Sequence, residues 1–68
     1  MYEKLEKLLQ EREMSVHRLV KELEKDPKTR ISKTTFSDWK HGKSKPKADK
    51  LKILADYFGV TMEYFMEE

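Results

Sequence analysis

The 68-residue sequence contains no cysteine. Neither a disulfide nor a thiolate metal site can staple this fold, so stability has to come from packing, and the absence fits a reducing compartment. Glycine and proline occur only twice each, and Pro27, Gly42, Pro46 and Gly59 all fall where regular structure is expected to stop. No apolar run approaches the roughly 18 residues that a membrane span needs. The N-terminus, MYEKLEKLL, is amphipathic and charged, unlike a signal peptide, so the chain reads as soluble and cytoplasmic, with no membrane partner. No segment has the pattern of a strand, a domain-sized repeat or low complexity. The last absence is regional: residues 53–68 hold no Lys or Arg at all.

That gap turns an unremarkable net charge of +2 into a strongly segregated one. Residues 1–27 carry six Lys/Arg against seven Asp/Glu, residues 28–52 carry nine against two, and residues 53–68 carry four acids unopposed. The positive field has one address, which is either a solvated basic loop kept for solubility or an electrostatic footprint for phosphate. Length sets the scale: a chain this small buries only about 60% of its unfolded surface, so it forms one domain, residues 1–68, with a compact core.

Periodicity and caps predict five helices. Tyr2, Leu5, Leu8, Leu9 and Arg12 lie on one stripe of a first helix over about 2–13. Three later places repeat one pattern, an apolar residue, a hydroxyl, and a second apolar residue four positions after it: Met14-Ser15 with Leu19, Ile31-Ser32 with Phe36, and Val60-Thr61 with Phe65. Each fits an N-cap hydroxyl flanked by a hydrophobic staple. The second helix then runs over about 16–24, with Val16, Leu19, Val20 and Leu23 inward, and Pro27 disfavours helix at Asp26. The third covers about 33–41 and closes on Gly42 in a left-handed conformation. A fourth carries Leu51, Leu54, Ala55 and Phe58 and closes on Gly59. Its cap position, Lys47, is poor, although Asp49 suits the helix dipole. A short fifth helix starts at Met62.

The third helix is the informative one. Phe36 and Trp39 are three residues apart and face inward, which puts Lys33, Thr34, Ser37 and Asp38 on the other side. A short surface helix showing a lysine, small hydroxyls and an acid, framed by basic loops, has the chemistry to read duplex DNA. Lys donates to guanine, Thr offers a hydroxyl or a methyl, and Asp accepts from cytosine.

Here the chain resembles the helix-turn-helix domains of phage-repressor and Cro type, the XRE family. Ser15-Val16-His17-Arg18-Leu19-Val20 resembles the first helix of the motif, and Ile31-Ser32-Lys33-Thr34-Thr35-Phe36-Ser37-Asp38-Trp39-Lys40 the recognition helix. Gly42-Lys43-Ser44-Lys45-Pro46 follows, and Leu51 to Thr61 resembles the fourth helix and the turn after it. The resemblance implies an all-α, compact five-helix bundle of lambda-repressor-like type, acting as a repressor-like transcriptional regulator. It implies double-stranded DNA as partner, with an inverted-repeat operator bound by a homodimer. On the same resemblance Lys33, Thr34, Ser37 and Asp38 reach base edges, with Thr35 partly covered. Ser15 and Val16 offer helix N-H groups to a phosphate, and Lys40, Lys43 and Lys45 contact the backbone. In one respect the chain departs from the family: Glu24 to Arg30, without a glycine, replaces the usual tight turn between the motif helices. Either the second helix runs a turn longer or a loop protrudes. A loop near the groove would add phosphate contacts from Lys28 and Arg30; away from it, the insertion is a tolerated surface feature.

Other chemistry finds little support. His17 and His41 lie on different helices without cysteine partners, so no metal site is expected, and His41 fits a helix C-terminal residue. No nucleophile is paired with a base and an orienting group at usable spacing, so no enzyme activity, cofactor or small-molecule substrate is expected. Ile53, Tyr57, Met62, Tyr64 and Met66 form a candidate self-association patch, or else they seal the bundle. The acidic end, Glu67-Glu68, is expected to lie away from DNA. The alternative function is a helical protein-interaction module, antitoxin-like or anti-repressor, that works through the apolar 53–66 surface.

Overall fold

The computed structural model describes residues 1–66; the expectation for Glu67-Glu68 lies outside the described residues. Five helices follow in order: α1 (Tyr2–Glu11), α2 (Val16–Glu24), α3 (Lys33–Lys40), α4 (Ala48–Phe58) and α5 (Met62–Met66). Among the described residues there is no strand, and no helix is long and apolar enough to cross a membrane.

The three hydroxyl caps form as the sequence predicts. Ser15 Oγ accepts from the Arg18 amide at 3.1 Å, Ser32 Oγ from Thr35 at 3.2 Å and Thr61 Oγ1 from Tyr64 at 3.2 Å. Each satisfies one of the first-turn donors that a helix start leaves open. The outer members of the three staples, Leu19, Phe36 and Phe65, are all buried, and Met14, Ile31 and Val60 join the same core. Lys47 caps α4 without a side-chain bond, as expected.

The ends of α3 and α4 are closed by left-handed glycines. Gly42 has φ 73° and Gly59 φ 70°, and after each the next amide reaches back to the carbonyl five residues before it, Lys43 to Asp38 at 2.9 Å and Val60 to Ala55 at 3.0 Å. This is the Schellman arrangement. The first helix uses the same closure without glycine. It ends at Glu11 rather than near residue 13, because Glu13 adopts φ 54° and lets the Met14 amide bond Leu9 O at 2.9 Å. Arg12 leaves the helix at this point, donating from Nη2 to Phe58 O at 2.8 Å, with its guanidinium 5.1 Å from the centre of the Phe58 ring. That contact ties the end of α1 to the end of α4.

One core holds the helices. Leu5, Leu19, Ile31, Phe36 and Leu54 are almost completely enclosed, and no polar or charged side chain is buried among the described residues. α2 packs on α3, α5 on α1 and α4. The radius of gyration, 11.0 Å, matches the value of about 11 Å expected for a compact chain of this length, so the insertion between α2 and α3 does not extend as an arm.

Candidate nucleic-acid interface

The third helix is held from behind. Phe36 and Trp39 are buried, their rings edge-on with centroids 5.1 Å apart. With these two aromatics fixed, helical spacing decides what the far side shows: Lys33, Thr34 and Ser37 are exposed and Asp38 is half-covered. Thr35, expected to be partly covered, is half-buried, and its hydroxyl is engaged 2.8 Å from Ser32 Oγ. The helix thus presents two neighbouring rows, Lys33 over Ser37 and Thr34 over Asp38.

Its C-terminal end is equally defined. His41 Nδ1 lies 2.9 Å from the Ser37 carbonyl, so the protonated nitrogen donates to one of the last carbonyls, the helix-end role expected for this residue. The Lys43 amide is consumed in closing the helix, which fixes the point at which the basic loop departs. Lys40, Lys43 and Lys45 are all exposed.

The start of α2 supplies a different kind of group. Ser15 is exposed and spends its hydroxyl on Arg18, while the amides of Val16 and His17, at the first two helical positions, have no intrahelical acceptor. Val16 and Lys40 line one shallow depression of about 190 Å³, together with Tyr2, Glu6 and Met14. The structure therefore brings the N-terminus of α2 and the C-terminus of α3 side by side. The Tyr2 phenol at this edge is pushed above its ordinary value, first by burial and then by the Glu6 carboxylate.

Charge pairing sharpens the picture. Although 41% of the residues are charged, the only ion pair among the described residues is Lys25 with Glu22 at 3.2 Å. Among the described residues none of the nine cations of residues 28–52 is paired. Cations held near one another without acids attract counterions, and phosphates can replace those counterions with a gain in free energy.

The insertion is an ordered turn, not an extension of α2. The Thr29 amide donates to Asp26 O at 3.0 Å and the Lys28 amide to Asp26 Oδ1 at 2.9 Å. The Thr29 hydroxyl reaches back 2.8 Å to the Leu23 carbonyl of α2. Sequence reasoning missed Thr29; the signal available was its place three residues after Asp26 in an Asp-Pro-Lys-Thr turn.

The candidate self-association patch proves narrower than its residue count. Ile53, Tyr57, Met62 and Tyr64 are half-buried and pack on the core, and only Met66, at 67%, is an exposed large hydrophobic among the described residues. Tyr57 directs its hydroxyl at Met14 Sδ, 4.0 Å away, and Tyr64 lies under Lys4 Nζ at 5.4 Å. Met66 also lines an open groove of about 1080 Å³ with Met1, Trp39, Lys40, Lys45 and Phe65, so the apolar edge adjoins the basic loop.

Over residues 4–67 the sequence matches the family model of the Cro/C1-type HTH DNA-binding domain. No curated protein and no solved structure matches the chain.

Proposed function

This chain belongs to the Cro/C1-type helix-turn-helix DNA-binding family, and from that premise we propose that it reads specific duplex sequences as a repressor-like transcriptional regulator. In this reading α3 enters the major groove, and Lys33, Thr34, Ser37 and Asp38 meet base edges. Ser15 and Val16 present the start of α2 to a phosphate, and Lys40, Lys43 and Lys45 grip the backbone, which positions the helix without specifying sequence. The observation that carries the proposal is the exposed polar face of α3, locked from behind by Phe36 and Trp39 and followed by cations that no acid pairs among the described residues. Two copies on an inverted repeat would double these contacts, with Met66 and the half-buried residues around it, Ile53, Tyr57, Met62 and Tyr64, between them. The proposal assigns the chain no cofactor and no covalent chemistry.

A second reading rests on Met66, whose exposure beside an open groove suits a protein partner. Selection from a random duplex pool at physiological salt separates the two. Enrichment of an inverted repeat with half-sites about ten base pairs apart supports a dimeric reader, whereas absence of any enriched sequence sinks it and favours the interaction module. Thr34→Ala should then change which bases are enriched, at a cost of about 1–3 kcal/mol for a direct contact. Lys43→Ala should weaken all sequences alike and flatten the salt dependence.

A further inference from the structure

We propose that the turn between α2 and α3 is a preformed phosphate grip, in which Lys28 and Arg30 extend the DNA footprint beyond α3 and the basic loop, with Thr29 as the positioning residue. The inference rests on the DNA-binding reading above and deepens it.

Three observations converge on this turn. Its shape is fixed from several sides. Pro27 presets the backbone at the second position of the turn, Asp26 accepts from the Lys28 amide through its side chain and from the Thr29 amide through its carbonyl, and Thr29 hangs the turn on the Leu23 carbonyl. Ile31, 2% exposed, nails the far end into the core. The second observation is charge. Lys28, Arg30 and Lys33 are exposed and unpaired among the described residues, and of the two acids of the segment, Glu24 and Asp26, Asp26 has a carboxylate oxygen committed to the turn. The third is position. Arg30 stands two residues before Ser32, the cap of α3, and two residues of chain span at most about 7 Å. The major groove is about 12 Å wide, so a residue this close to the leading end of a groove-bound helix sits at the rim, where the phosphates run.

Order is what makes such a contact effective. Charges on a loose loop lose freedom when they bind, and that loss is subtracted from affinity, whereas charges on a fixed turn lose little. The Thr29 hydroxyl therefore acts on affinity through the placement of its neighbours, without touching DNA itself.

The test measures binding to a mixed-sequence duplex over a range of salt concentrations. Each phosphate contact contributes about 0.9 to the slope of log affinity against log salt. Lys28→Ala/Arg30→Ala should lower that slope by about 2, so over a fourfold rise in salt the wild type loses about tenfold more affinity than the double variant. Lys7→Ala, on the exposed side of α1, controls for net charge and should keep the wild-type slope. Thr29→Val should weaken binding several-fold at an unchanged slope, and Thr29→Ser should restore it. A double variant with the wild-type slope overturns the grip while leaving DNA binding by α3 intact. A Lys7→Ala slope lowered as much as that of Lys28→Ala alone also overturns it, since net charge would then account for the effect. A wild-type chain that binds no duplex overturns this inference and the DNA-binding reading together.

Discussion

Ser32→Ala tests the link between the architecture of α3 and its proposed work. The helix has only eight residues, too few to hold its shape unaided in water, and its first turn carries Lys33 and Thr34. Ser32 Oγ supplies the acceptor for the Thr35 amide and pairs with the Thr35 hydroxyl. Removing an N-cap hydroxyl costs about 1 kcal/mol, which lowers the melting temperature of a domain this size by about 4–8 °C. Under the proposed function the loss falls on the turn that meets bases, so DNA affinity should drop by about fivefold, the equivalent of the same free energy. Ser32→Asp separates capping from charge. A carboxylate caps as well as a hydroxyl, so stability should hold, but under the proposed function it places a negative charge beside phosphates, so affinity should still fall. Thermal unfolding by circular dichroism and binding by fluorescence anisotropy read the two effects on the same samples. An unchanged melting temperature in Ser32→Ala would refute the capping argument. A lowered melting temperature with unchanged affinity would refute the placement of the first turn of α3 against DNA.

Three further perturbations probe the scaffold. Arg12→Ala removes the bond to Phe58 O and the contact with its ring. For this exposed side chain the loss should be about 1 kcal/mol, seen as a lower urea midpoint with no change in the sequences selected. Glu13→Gly relieves a left-handed residue at φ 54°. The strain of about 1–2 kcal/mol is partly offset by the greater freedom of glycine in the unfolded chain, leaving a net gain of about 0.5–1 kcal/mol and a higher urea midpoint. The Tyr2 phenol is raised above 10.0 in the folded chain, so the unfolded chain gives up this proton first. Its contribution is intact below pH 10 and is lost as pH rises through the folded value, and Tyr2→Phe should flatten that alkaline loss in a pH series of thermal melts.

The parts of this fold that were legible in the sequence are those set by local chemistry. Ser15, Ser32 and Thr61 announce helix starts because a hydroxyl before an apolar staple has one good use, and Gly42 and Gly59 announce ends because few other residues take the left-handed region cheaply. The end of α1 was misjudged because Glu13 takes that conformation without being glycine. What accompanies it is the Arg12 bond to a carbonyl 46 positions away, which no local pattern reports. The candidate interface divides the same way. Exposure of Lys33, Thr34 and Ser37 follows from the helical spacing of Phe36 and Trp39. The anchoring of the Asp26–Thr29 turn on Leu23 O and the commitment of Tyr57 and Tyr64 to Met14 and Lys4 depend on packing between elements.

Charge placement bears on how such a surface could discriminate. Nine like charges within residues 28–52 repel one another, and pairing them with acids would relieve that repulsion, yet the segment contains only Asp38 and Asp49. Asp49 has a local purpose in the first turn of α4, where it complements the helix dipole. Asp38, half-covered, stands one turn behind Thr34 and pairs with no cation among the described residues. A carboxylate on a groove-facing helix is repelled by every phosphate, so it weakens binding to all sequences alike, and it is compensated only where it meets a donor such as the cytosine amino group. Asp38 should therefore contribute more to discrimination than to affinity. Asp38→Ala should raise affinity for mixed-sequence duplex while lowering it for the selected sequence, which compresses the ratio between the two. That ratio, measured by competition at one fixed salt concentration, is the quantity to follow. If both affinities fall together, Asp38 supports the helix and does not read DNA.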